Sequence, residues 1–82
     1  MKEFCTISCV EVLVFYKNIS TNIKKNRIER GLNQLDVALE IGIKSVAFYS
    51  NCENLKHGKH FNLEHIYRLS KFFNIQPEEL IK

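Results

Sequence analysis

The chain has no tryptophan, one proline, three glycines and three cysteines in 82 residues, and these shortages exclude several classes of protein. Cys5, Cys9 and Cys52 contain no C-x-x-C pair and leave one thiol over in any pairing, so neither a disulfide framework nor a cysteine-built metal site is expected. Isolated cysteines usually behave as small apolar residues, and His57, His60 and His65 read as surface polar groups, so no metal and no cofactor is expected. In the absence of an export signal the thiols point to a reducing cytosol and a cytoplasmic protein. The apolar run Cys9 to Tyr16 is short and interrupted by Glu11, too little to cross a bilayer. No glycine loop suited to a phosphate, no paired carboxylates and no nucleophile beside a base can be found, so the chain is not expected to be an enzyme.

What is present fits one small globular domain: 45% apolar and 26% charged residues. Twelve basic residues against nine acidic ones leave a net charge of +3, which is unevenly spread. Lys17, Lys24, Lys25, Arg27 and Arg30 fall in one stretch with Glu29 as its only acid. A basic face of this kind attracts phosphate even when the total charge is small.

Two segments can be distinguished. Residues 1–16 form an N-terminal extension in which Val10 to Tyr16 favours a strand, and a strand there needs a partner, most simply the same segment of a second subunit in a two-stranded ribbon. An N-terminal helix packed on the domain, or a disordered extension, is the alternative. Residues 17–82 read as an all-α domain of five helices. Ser20, Thr21 and Asn22 offer a cap to a first helix that ends at Arg30 before Gly31. Asn33 and Asp36 bracket a second, with Val37, Ala38 and Ile41 on its apolar face, closed by Gly42. A third follows Lys44 and Ser45 and ends near Asn54, with Phe48, Tyr49 and Cys52 inward. Leu55 to Phe61 reads as a loop. Asn62 caps a fourth helix with Leu63, Ile66, Tyr67, Leu69, Ser70 and Phe73 inward, ending at Asn74. Pro77, Glu78 and Glu79 open a short fifth.

The second and third helices have the form of a helix-turn-helix, in which a short helix protrudes far enough to enter the major groove of DNA. Base contacts then fall to Lys44, Ser45, Val46, Ala47, Ser50 and Asn51 in the third helix. Phosphate contacts fall to Asn33 and Gln34 at the start of the second, and to Lys56, His57, Lys59 and His60 in the following loop. The aromatic residues read mostly as core, because a domain without tryptophan needs their area.

Residues Ile23 to Leu80 resemble the Cro- and phage-repressor-like helix-turn-helix family, also called the xenobiotic-response-element type. The matching positions are Arg27, Gly31-Leu32-Asn33-Gln34, Val37-Ala38, Ile41-Gly42-Ile43, Glu53-Asn54, Leu63, Ile66, Leu69, Phe73-Asn74-Ile75 and Glu78-Glu79-Leu80. The resemblance implies a compact five-helix domain, usually a homodimer, that binds double-stranded DNA at operator half-sites to regulate transcription. It also implies an ion pair between Arg27 and Glu53. The chain departs from the family pattern in four places: one extra residue between Gly42 and Glu53 leaves the register of the third helix open by one, Asn26 replaces an apolar residue whose place in the core falls to Ile28 or the N-terminal segment, Leu35 and Leu39 replace polar ones, and the loop after the third helix is longer and carries histidines where the family often has proline. The two leucines suggest a protein contact, and with the apolar N-terminus they suit a different role, an antitoxin-like or accessory interaction module.

Overall fold

A computed structural model describes residues 8–82; Cys5 and the remainder of residues 1–7 lie outside the described residues. Among the described residues it is all-helical: α1 Cys9–Glu29, α2 Gln34–Glu40, α3 Val46–Asn54, α4 Leu63–Phe73 and α5 Glu78–Ile81, with a 3-10 turn at Lys56–Gly58. None of these helices is long and apolar enough to cross a membrane.

The strand expected at Val10 to Tyr16 is not formed. Those residues are the first turns of α1, which runs unbroken across position 16. The reason is a start signal further upstream than Ser20. Ser8 Oγ accepts the amide of Glu11 at 3.1 Å while the Glu11 carboxylate accepts the amide of Ser8 at 3.0 Å, a reciprocal capping box. A nucleated helix extends cheaply, one hydrogen bond for each residue added, and this outweighs the strand preference of Val10, Val12 and Val14. Ser20 and Asn22 are therefore interior to the helix and tie it to its neighbours. Ser20 Oγ donates to Cys52 O on α3 at 3.0 Å, and Asn22 Nδ2 donates to Leu80 O and Lys82 O at the end of α5.

α1 thus acts as the spine against which α3, α4 and α5 pack. Ile19 and Ile23 enter the core beside Val37, Tyr49, Leu69 and Leu80. Asn26 is not compensated by Ile28, which is exposed. Instead its Nδ2 donates to Asn22 O and its Oδ1 accepts from Arg30, so the polar group is satisfied where it stands. Arg30 also donates from Nη2 to Phe73 O at 2.8 Å and lies over the Phe73 ring, closing the carbonyl end of α4 with a cation.

On α4 the inward stripe is Ile66, Leu69, Ser70 and Phe73. Leu63 and Tyr67, expected inward, are exposed: Leu63 occupies the first position of the helix, beyond the edge of the core, and Tyr67 points to the flank. Of the aromatic residues, Tyr49, Phe61 and Phe73 are buried, while Phe48 and Phe72 pack half-buried against them. The start of α4 carries a second capping box. Asn62 Oδ1 accepts the His65 amide at 2.8 Å, and His65 Nδ1 accepts the Asn62 amide at 3.1 Å. Only a neutral imidazole can accept in this way, and burial holds the His65 pKa below its ordinary value. A histidine with a lowered folded pKa contributes stability above the unfolded value of about 6.5 and loses it as pH falls through the folded value. The thermal midpoint should therefore drop between pH 7 and pH 5, and His65→Gln, which keeps an acceptor for the cap, should reduce the drop. Asn62→Ala should cost about 1 kcal/mol at neutral pH in denaturant melts.

Candidate nucleic-acid interface

α2 and α3 are joined by residues 41–45, a connection whose geometry is set by small and left-handed positions. Gly42 has φ +83, a conformation in which an L side chain is strained, and this lets the Ile43 amide reach Ala38 O at 2.8 Å. Ala38 is completely buried, so the helices approach closely at that point, and Ile43 is buried beside it. Ser45 caps α3, its Oγ accepting the Phe48 amide at 3.2 Å. α3 then runs Val46–Asn54 with Glu53 in its last turn.

The orientation of α3 is held by one buried carboxylate. Glu53 is paired with Arg27 of α1 through Nε to Oε2 at 2.9 Å and Nη2 to Oε1 at 3.0 Å. Its Oε1 also accepts from Gln34 Nε2 and its Oε2 from Tyr49 Oη, both at 2.9 Å. Arg27 adds a third hydrogen bond, from Nη1 to Leu32 O at 2.9 Å. One cluster therefore joins α1, the α1–α2 connection, the first residue of α2 and α3. Burial pushes the Glu53 carboxyl upward, but the bonds from Arg27, Gln34 and Tyr49 outweigh it and hold its pKa below the ordinary value. The hydrogen bond to Glu53 raises Arg27 against its own burial, and burial together with the Glu53 charge raises Tyr49. The neighbouring thiol of Cys52 is pushed up to about 11 by burial, as befits a packing residue.

With Tyr49, Cys52 and Glu53 inward, the opposite face of α3 presents Ala47, Ser50, Asn51 and Asn54. Ser50 and Asn51 are half-buried at its edges, and Ala47 and Asn54 are exposed. Val46 flanks this face, and Lys44 and Ser45 stand exposed just before it. The structure thus brings the six expected base-reading residues to one end and one side of α3, although the Ser45 hydroxyl is engaged as a cap. Asn54 belongs to the same face and was not singled out from the sequence; its spacing of seven from Ala47 and three from Asn51 is the signal that marks it.

The expected phosphate contacts are less uniform. Asn33 Oδ1 is occupied by the Asp36 amide at 2.8 Å, and Gln34 has one N–H of Nε2 committed to Glu53, so both side chains are fixed in place with a single amide group left to offer. Lys56 and His57 are exposed in the 3-10 turn, while Lys59 reaches back over the Phe48 ring. His60 stacks on Tyr16 of α1 with ring centroids 4.1 Å apart, which ties the loop to the spine. Among the described residues no group of histidine, cysteine and acidic side chains is arranged to hold a metal ion. Lys17, Thr21 and Lys24 line a groove with Glu53, Asn54 and Leu55, so basic residues of α1 border the end of α3 as well.

This arrangement of a capped short helix, a glycine turn and a protruding second helix defines a helix-turn-helix domain. Comparison with known proteins agrees: residues 23–80 match the helix-turn-helix family, and the chain belongs to it, as a member of the Cro/repressor type. No curated protein and no solved structure matches the chain. Membership makes the protein a DNA-binding helix-turn-helix regulator in general terms.

Arg27→Ala would leave a buried carboxylate without its cation and should destabilise the domain by about 3–5 kcal/mol in urea melts. Replacing both partners with apolar residues, Arg27→Met with Glu53→Leu, should cost much less than the sum of the two single changes. Because the Glu53 pKa is lowered on folding, its contribution is present above the unfolded carboxyl pKa of about 4.3 and is lost as pH falls through the folded value. The double variant should accordingly lose less stability than the parent on acidification.

Proposed function

We propose that the protein is a sequence-specific transcriptional regulator of the repressor type, acting in the cytoplasm as a homodimer on operator half-sites, with α3 in the major groove and without catalytic activity of its own. The observation that carries this reading is the division of α3 into two faces. One face is locked to the rest of the domain through Glu53, and the other offers small and amide side chains, Ala47 and Asn54 exposed and Ser50 and Asn51 half-exposed.

A rigidly held helix is what base reading requires, since discrimination depends on hydrogen bonds placed within a few tenths of an ångström. Asn51 suits adenine through its paired donor and acceptor, and Lys44 suits guanine. Val46 and Ala47 suit the methyl of thymine, and Ser45 and Ser50 accept or donate at either base. Asn54 extends the same row. Lys56, His57 and Lys59 fit the phosphates that flank the groove, with the amide groups of Asn33 and Gln34 on the other side, and His60 helps by holding the loop against Tyr16. Two copies of α3 on a palindromic site would lie one DNA turn, about 34–36 Å, apart.

A protein contact on α2 is compatible with this reading, because Leu35 and Leu39 lie one turn apart and are 48% and 60% exposed. Salt separates the two modes of binding. Each phosphate contact adds about 0.9 to the slope of log affinity against log salt, whereas an apolar protein contact adds none.

The test is fluorescence anisotropy with a labelled duplex selected from a random library, repeated at several salt concentrations. Asn51→Ala should cost about 1–3 kcal/mol and relax preference at one base position, while Lys56→Ala with Lys59→Ala should lower the salt slope by about two. A library that yields no preferred duplex, or affinity unchanged by these substitutions, would rule the assignment out.

A further inference from the structure

The first two turns of α1 are apolar apart from Glu11, yet pack against little of the described domain. Val10, Leu13, Val14 and Phe15 are 68%, 58%, 52% and 50% exposed, and Val12 is exposed as well. A helix that is apolar all round is normally enclosed. The core-facing stripe of α1, Ile23, Ile19 and Tyr16, continues into Val12 and Leu13 at spacings of three and four, but among the described residues nothing packs against this last part of the stripe, and Val12 and Leu13 are exposed. Beside this free end lies an apolar groove walled by Phe15, Tyr16, Phe61, Leu63, Ile66 and Ile81, with Leu63 86% exposed at its rim.

We propose that this end of the molecule is a homodimerisation surface, in which a two-fold axis lays the free end of each α1 over the groove of the other copy. The proposal rests on the homodimer reading above and supplies the surface for it. Two observations select a second copy as the occupant. A projecting apolar helix and an apolar groove stand side by side on one chain, and that is the self-complementary arrangement a two-fold interface uses. The two parts are open together: Val10, Leu13, Val14 and Phe15 on the helix end are half or more exposed, and so is Leu63 on the groove rim, so both halves of the contact are apolar surface in the single copy.

The consequence for DNA binding follows from the continuity of α1. The same helix that ends in the dimer surface carries Arg27, and Arg27 holds Glu53 of α3, so the relative placement of two recognition helices is transmitted through one rigid element. The ribbon of strands expected from the sequence is replaced by helix pairing at the same end of the chain.

Sedimentation equilibrium of the full chain at tens of micromolar, without DNA, tests the proposal. The expected mass is twice 9.6 kDa. Leu13→Lys on the helix and Leu63→Lys on the groove rim, both exposed and so harmless to the fold, should each return the mass to 9.6 kDa with an unchanged far-UV circular dichroism spectrum. A monomeric parent chain, or a dimer that survives either substitution, would overturn it. The same samples titrated with duplex separate this from the DNA reading: a dimer that binds no duplex leaves the surface standing and removes the DNA reading, and a monomer that binds duplex does the reverse.

Discussion

The bidentate pair of Arg27 and Glu53 is the constraint on which the rest of this domain depends. A carboxylate removed from water is costly unless its oxygens are fully occupied, and here they are, by Arg27 twice, by Gln34 and by Tyr49. Each donor comes from a part of the chain that must be correctly placed before the cluster can form. The pair does less for net stability than for uniqueness, since an arrangement of α3 that left Glu53 buried without these donors would be heavily penalised. α3 is short, with only Ser45 and an αL residue at Leu55 to close its ends, and gains its fixed orientation from this cluster.

The second constraint is the length of α1. Ser20, Asn22, Arg27 and Arg30 each reach a different neighbour from one continuous helix, closing carbonyls on α3, α5, the α1–α2 connection and α4. The helix thereby serves as a common frame for elements that are short in themselves. α5 has only four residues and α2 only seven, too few to be stable as isolated helices. Their place in the fold comes from Leu80, Val37 and Ala38, all buried without residual exposure.

Much of this was legible in the sequence. Glycines at positions 31 and 42, the caps at Asn33 and Asn62, and the apolar spacing of Ile66, Leu69 and Phe73 report local backbone and face preferences, and they placed helices two to five within a residue or two of where they lie. The start of helix one was misplaced because β-branched residues at Val10, Val12 and Val14 favour a strand locally, whereas the Ser8–Glu11 box that decides the matter is two polar residues in an apolar run. Leu63 and Tyr67 share the period of the α4 core stripe, and periodicity cannot tell where the globule ends. The site was legible in part. The row on α3 followed from helical spacing, but the commitments of Gln34 to Glu53 and of His60 to Tyr16 are long-range contacts that spacing does not carry.

The most direct test of the account is to follow the backbone amide resonances of ¹⁵N-labelled protein during titration with a selected duplex. The shifts should concentrate at Asn33 and Gln34, along Lys44 to Asn54, and in the loop from Leu55 to His60, with the free end of α1 and the Leu35–Leu39 face of α2 little changed. Shifts gathered on α2 at Leu35 and Leu39 with α3 silent, or no shifts at all at low salt, would contradict the claim that α3 is the part of this chain that reads DNA.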